Sequence, residues 1–257
     1  MYSEIHKNSD DILGIVDYHY EFYSSHLKNE RDIIVWYPDS VIDGYKRLPV
    51  LYMHDGQNLF SPNTAFIGVD WKVDETVETL LFQEKIREFI VVGIYNTKDR
   101  IDEYNFFTPK GKSYSSFIIH ELKPFIDENY STLRGPEHTG IMGSSMGGLY
   151  SFQMAMRYPQ VFGNAACLSN SFWINDKKIF QFAEEYIPEI FGQKLYIDCG
   201  DAEKELIEDN RKMNSLLMNL HYHKNNLLLW NEEMGGKHNE GDWAKRLHKP
   251  LTFLFGR

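Results

Sequence analysis

The segment Gly143-Ser144-Ser145-Met146-Gly147 reads G-x-S-x-G. It sets the Ser145 hydroxyl at the centre of a turn whose two glycines are small enough to let the chain double back on itself. The chemistry such a serine can do is nucleophilic attack, provided a base takes its proton and a third group orients that base. An ordinary turn serine is the plain alternative, so the partners decide. Among ten histidines, His238 stands apart. Gly235-Gly236 precedes it and Asn239-Glu240-Gly241-Asp242-Trp243 follows, which reads as a loop entering a capped helix. His221 and His223 form an H-x-H pair at the end of a helical pattern, where solvated side chains are the simpler expectation. For the acid, Asp198, Asp201, Glu203 and Glu205 are all close in sequence. Asp198 falls within a strand pattern, whereas Asp201 and Glu203 sit where a carboxylate can equally cap a helix.

A tetrahedral intermediate needs two N–H donors aimed at its oxyanion. One is expected from the backbone of Met146, directly after the nucleophile. The second is expected from the loop His54-Asp55-Gly56-Gln57-Asn58, with the amide of Gln57 as the donor. A plain turn is the competing reading of this loop.

These residues need elements to position them. Strand patterns fall at 18–26, 31–37, 49–54, 89–95, 138–142, 161–168, 194–199 and 226–231. The short connection Leu27-Lys28-Asn29-Glu30 makes the first two an antiparallel hairpin. Helical spacing of apolar residues over 74–85, 116–130, 148–158 and 203–221 then alternates with the later strands, which predicts a mostly parallel sheet covered on both faces. Pro124 predicts a kink within 116–130. Serine, acid and histidine follow the fifth, seventh and eighth strands. This is the chain order expected of an α/β hydrolase, with each group at the carboxyl end of a strand.

Composition narrows the field. The 257 residues carry a net charge of −10, which argues against nucleic acid or an anionic membrane as the main partner. No repeat, linker or low-complexity stretch divides the chain, so one domain over 1–257 is expected. No segment approaches the ~20 apolar residues of a membrane span, and the N-terminal residues Met1 to His6 lack the pattern of a secretory leader. A cytoplasmic location is the resulting expectation. Cys167 and Cys199 each lie in an apolar strand pattern and are expected to be buried free thiols.

Longer stretches carry a resemblance. Leu51-Tyr52-Met53-His54-Asp55-Gly56-Gln57-Asn58-Leu59-Phe60, Gly68-Val69-Asp70-Trp71, Arg100 with Glu103-Tyr104, Gly143 to Gly148, and His238-Asn239-Glu240 with Trp243 together resemble the putative-esterase (esterase D-like) branch of the α/β hydrolases. That branch includes enterochelin-type siderophore esterases, feruloyl and acetyl-xylan esterases and S-formylglutathione hydrolases. The resemblance covers nearly the whole chain. It implies an α/β-hydrolase fold of roughly eight strands, with Ser145 and His238 catalytic and oxyanion donors at Gln57 and Met146. It points to Glu203 as the acid, three residues past the glycine that ends the seventh strand. Asp201 stands where the family often has threonine and is the alternative acid.

The implied function is a serine carboxylic ester hydrolase, with no cofactor and no metal, acting on a small-molecule ester. An acyl ester of a sugar or small alcohol and a siderophore trilactone are the substrate classes in view; oligomeric state is left open. Acyl transfer on the same scaffold is the enzymatic alternative, and a non-catalytic binding protein on a hydrolase fold is the other. Trp71, Arg100, Tyr104 and Trp173 are the substrate-binding candidates, within an aromatic group that also holds Phe60, Phe66, Phe106, Phe107 and Phe172. Packing is an equal expectation for most of these rings. For Arg100 a structural pair with Glu103 is favoured.

Overall fold

A computed structural model describes residues 2–7, 12–38, 46–186, 192–220, 222 and 227–257. His221 and His223 lie outside the described residues. Nine strands are present among those described: β1 (Tyr2–Lys7), β2 (Ile15–Ser24), β3 (Asn29–Tyr37), β4 (Val50–His54), β5 (Ile90–Ile94), β6 (Thr139–Ser144), β7 (Asn164–Leu168), β8 (Lys194–Gly200) and β9 (Leu228–Glu233). They form one sheet in the order β1-β2-β3-β5-β4-β6-β7-β8-β9. Pairings from β1 to β5 along this order are antiparallel, and those from β5 through β9 are parallel. The eight expected strands all have counterparts, and β2–β3 is the expected antiparallel hairpin. The ninth, β1, is a sheet-edge strand that the sequence patterns did not reveal.

The helices are α1 (Val73–Phe82), α2 (Arg100–Glu103), α3 (Pro109–Phe117), α4 (Lys123–Asn129), α5 (Met146–Arg157), α6 (Ile179–Tyr186), α7 (Ile207–Asn219), α8 (Glu240–Arg246) and α9 (His248–Phe255). Alternation along the strands divides the core between the two faces. Val50, Tyr52, Ile141, Ala165 and Cys167 pack with Phe117 of α3, Ile126 of α4, Leu149 of α5 and Met213 of α7. Leu51, Met53, Met142, Ala166 and Leu168 pack with Val77 of α1, Trp243 of α8 and Leu251 of α9. Both faces of the central strands are thus covered, which is why these strands are almost wholly apolar.

The helix expected over 116–130 with a kink at Pro124 is widened ahead of that residue and not broken, its backbone staying helical through Phe117, Ile118, Leu122 and Lys123. Between α3 and α4 the chain makes a wide π turn at Ile118–Leu122, and the Lys123 amide bonds back to Ile118. Pro124 then falls in the first turn of α4, directly after the wide turn. Cys167 and Cys199 are free and buried, and burial raises both thiols above their ordinary range. Among the described residues no helix is long and apolar enough to cross a membrane.

Candidate active site

Strand β6 ends at Ser144 and α5 begins at Met146. Ser145, between them, has φ 57° and ψ −120°. A side chain at positive φ outside the small left-handed well is strained and is held there only by its surroundings. Those surroundings are specific. The Ser145 amide donates to the Leu168 carbonyl at 2.9 Å, and the Ser145 carbonyl accepts from Leu149 and Ser171. A Cβ on Gly143 would lie 2.7 Å from the Gly147 carbonyl carbon, so the sharp turn closes only with glycine at 143.

The Ser145 hydroxyl is 3.0 Å from His238 Nε2, and His238 Nδ1 is 2.7 Å from Glu203 Oε2. These three residues come from the β6–α5 turn, the loop after β9 and the loop after β8. The last two loops touch directly, since a Cβ on Gly200 would sit 2.1 Å from the Gly236 carbonyl oxygen. Glycine at 200 therefore lets the histidine loop cross over the acid loop. The indole of Trp243 stands edge-on to the His238 ring, with centroids 5.0 Å apart, and limits its rotation.

Glu203 is buried. Burial raises its pKa, but hydrogen bonds from His238, Ser169 and the Gly200 amide outweigh that and hold the carboxyl below its ordinary range. The other oxygen, Oε1, accepts from Ser169 Oγ at 2.7 Å and Gly200 N at 2.8 Å, with Arg246 Nη2 at 3.4 Å. An ionised carboxylate only accepts, so Nδ1 of His238 carries the ring proton and Nε2 is the acceptor for the Ser145 hydroxyl. Asp201 lies elsewhere: its Oδ1 accepts from the Gly235 amide at 2.7 Å, bracing the turn after β9.

Sequence reasoning missed the groups behind Glu203. The fully buried Arg246 reaches from α8 to Asp198 on β8, with Nε–Oδ2 at 3.0 Å and Nη2–Oδ1 at 3.2 Å. It also donates to Ser169 Oγ at 2.7 Å, and Ser169 takes a further bond from Trp243 Nε1 at 2.8 Å. Ser171 was missed too, with its Oγ 3.2 Å from Ser145 Oγ. One signal was available. Strand β7 lies between β6 and β8, so the loop Ser169-Asn170-Ser171 must fall between the serine turn and the acid loop.

The loop after β4 packs against the same turn. A Cβ on Gly147 would lie 3.2 Å from His54 Cβ and 3.6 Å from Asp55 Oδ2. Met146 is the first residue of α5 and Gln57 lies in the short 3-10 turn Gly56–Asn58. First-turn amides have no acceptor within their own helix. His54 itself is buried among Tyr104, Tyr114 and Tyr150, and burial drives its pKa down to about 3.

Two cavities open on Ser145 and His238. One, about 310 Å³, is lined by Asp55, Asn58, Phe66, Trp71, Arg100 and Glu240 among others. The other, about 480 Å³, is lined by Ser171, Trp173, Lys204, Glu205 and Leu206. A larger hollow of about 640 Å³ against α1 and α8 reaches neither residue. Of the substrate-binding candidates, Trp71, Arg100 and Trp173 border these cavities. Tyr104 does not: it is fully buried, and its hydroxyl accepts from the Asp55 amide at 3.1 Å. Of the remaining rings, Phe66 borders a cavity, Phe60 and Phe172 are buried, and Phe106 and Phe107 pack against Phe182.

The expected Arg100–Glu103 pair is not formed. Arg100 makes a two-point contact with Asp55, Nε–Oδ1 2.7 Å and Nη2–Oδ2 2.8 Å. Glu103 instead holds the buried Arg31 at 2.7 and 3.1 Å. Burial favours the Arg31–Glu103 pair, because a buried ion needs a partner with matched donors and acceptors, and Glu103 is then not free for Arg100. Burial raises the Asp55 pKa, and Arg100 and Asn96 more than reverse it.

The Putative esterase family model matches residues 24–254. YbbA of Bacillus subtilis (strain 168), an uncharacterized protein, is 23% identical over 254 residues, covering 91% of this chain and 96% of YbbA. An endo-1,4-beta-xylanase/feruloyl esterase of Xylanibacter ruminicola is 29% identical over 160 residues, covering 62% of this chain and 20% of that protein. The enterobactin esterase of Shigella flexneri, crystallised in the presence of 2,3-dihydroxy-N-benzoyl-serine, superposes with a TM-score of 0.76 at 18% identity over 93% of this chain and 58% of that one. With the family model spanning most of its length, the chain belongs to the Putative esterase family of α/β hydrolases and is an esterase.

Proposed function

We propose that the enzyme hydrolyses carboxylic esters through an acyl group carried on Ser145. The observation that supports this most is the continuous chain Ser145 Oγ, His238 Nε2, His238 Nδ1, Glu203 Oε2, with steps of 3.0 and 2.7 Å, standing on a strained turn. Ser145 Oγ attacks the ester carbonyl as His238 takes its proton. The amides of Met146 and Gln57 donate to the carbonyl oxygen as negative charge develops on it. Collapse of the tetrahedral intermediate expels the alcohol, which leaves with the proton from His238. Water then repeats the sequence on the acyl-enzyme, and Ser145 is the leaving group. Glu203 keeps the ring in one tautomer and stabilises the imidazolium formed in each half.

Both cavities at Ser145 mix aromatic and polar walls, Trp71 and Phe66 with Asn58 and Glu240 on one side and Trp173 with Lys204 and Glu205 on the other. An ester with a hydroxyl-rich alcohol and a compact or planar acyl part suits such walls, which favours sugar esters and siderophore-type lactones over long-chain lipid esters. The relatives named for feruloyl and enterobactin esters support the same range. The purified protein is expected to hydrolyse p-nitrophenyl acetate, and Ser145→Ala to lose at least about 10³-fold in kcat/KM. A parallel panel of acyl sugars, hydroxycinnamates, thioesters and trilactones ranks the natural classes. Full activity in the alanine variant overturns the proposal.

A further inference from the structure

Ser171 stands outside the Ser145–His238–Glu203 chain but within reach of its reacting atom. Its side chain is buried, its Oγ lies 3.2 Å from Ser145 Oγ, and its amide donates to the Ser145 carbonyl at 3.1 Å. Among the described residues, Ser145 Oγ is the one hydrogen-bond partner of the Ser171 hydroxyl. The direction of that bond follows from the neighbours. Glu203 only accepts, so His238 Nδ1 donates to it and Nε2 accepts. Ser145 has a single proton, and Nε2 takes it. The proton between the two serines must therefore come from Ser171.

The geometry points to Ser171 as a further catalytic hydroxyl, one that donates to Ser145 Oγ and favours breakdown of the acyl-enzyme over its formation. This rests on the acyl-serine reading above. In the free enzyme Ser145 Oγ is a hydroxyl oxygen and a good acceptor. The Ser171 bond stabilises that ground state and does not help Oγ attack. In the acyl-enzyme Oγ is the alkoxy oxygen of an ester, a poorer acceptor. Water then adds to the acyl carbon and gives a proton to His238. When the intermediate collapses, the bond between carbon and Oγ breaks, its electron pair returns to Oγ, and His238 returns the proton to the same oxygen. Charge grows on Oγ during this step, so the bond from Ser171 strengthens on the way to the transition state. Only interactions stronger there than in the ground state accelerate a reaction. The two half-reactions therefore respond oppositely to one hydrogen bond.

The test separates the halves in the full chain, using p-nitrophenyl acetate. Acylation is read from p-nitrophenol release with enzyme in excess. Deacylation is read from the decay of the acyl-enzyme in quenched samples by intact mass. In Ser171→Ala, acylation is expected within about threefold of the parent and deacylation about tenfold slower, the scale of one hydrogen bond to a charge-bearing oxygen. The acyl-enzyme should then accumulate. Ser171→Thr, which keeps the hydroxyl, is expected to restore decay to within about threefold. The backbone bond from residue 171 survives in all variants, so a purely structural role would slow both halves together. Equal slowing, or unchanged decay in Ser171→Ala, overturns the inference. A parent enzyme that never carries an acyl group on Ser145 overturns the underlying reading instead, an outcome distinct from variants in which the adduct forms and both rates move alike.

Discussion

Replacing Glu203 with glutamine removes one charge and keeps the shape, and the structure dictates how the new side chain must lie. Oε1 faces three donors, Ser169 Oγ, the Gly200 amide and Arg246 Nη2. An NH2 group there would meet only donors, so the amide oxygen takes that place and the NH2 is forced toward His238 Nδ1. It donates to Nδ1, which moves the ring proton to Nε2. Nε2 then cannot accept from Ser145, and the base is lost even though no atom has moved far. Inverting a tautomer in this way costs on the order of 10³ to 10⁴ in kcat, or about 4–5 kcal/mol in the barrier. Asp201→Asn leaves the bond from the Gly235 amide to Oδ1 possible, and less than about a twofold loss is expected because no partner is left unpaired. The assay is kcat and KM on p-nitrophenyl acetate for both variants, with thermal melting to establish that each is folded. A folded Glu203→Gln enzyme with more than about a tenth of parental activity would show that tautomer control by Glu203 carries no catalytic weight.

Two further perturbations probe the scaffold. Gly143→Ala puts a methyl group 2.7 Å from the backbone of Gly147; a stability loss of about 1–3 kcal/mol and a rate loss near 10²-fold are expected, to be read by chemical denaturation and kinetics, and an unaffected enzyme would deny the steric role of that glycine. Asp74, buried at the start of α1, accepts from the Leu13 amide at 2.7 Å, and burial with the neighbouring Glu75 raises its carboxyl to about 7. The folded protein thus holds this proton more tightly than the unfolded chain does. The native state is favoured below the unfolded value near 4, and that advantage is lost as pH rises toward 7, by at most about 4 kcal/mol. Asp74→Asn should match the parent in melting temperature near pH 4 and exceed it increasingly up to pH 7.5; a difference that does not vary with pH would contradict this.

Local features of the site were legible in the sequence, and convergent ones were not. The turn at Ser145 could be read because strand, turn and helix are consecutive, and because glycine is the residue such a turn demands. The order of the serine, acid and histidine loops followed from counting strands. Choosing between Glu203 and Asp201 could not, since a single residue separates them and both follow β8. The contact between Gly200 and Gly236 aims one carboxylate at His238 and the other at the Gly235 amide. Arg246, Asp198 and Ser169 come from α8, β8 and the loop after β7, so no sequence window contains them together. Arg100 lies three residues from Glu103, at good helical spacing, yet Glu103 is taken by the buried Arg31, and Arg100 pairs with Asp55, 45 positions back. Among the described residues strand β1 pairs only with β2 at the sheet edge, where a one-sided partner imposes a weaker pattern than the buried middle of the sheet.

In the proposed mechanism the acyl group travels on Ser145 Oγ. Treatment with a fluorophosphonate, followed by peptide mass mapping, reads out that atom's role. One phosphonyl group should appear on Ser145, with activity falling in proportion to its occupancy. Activity that persists after full modification of Ser145, or inactivation that tracks an adduct on another residue, would rule out Ser145 as the acyl carrier.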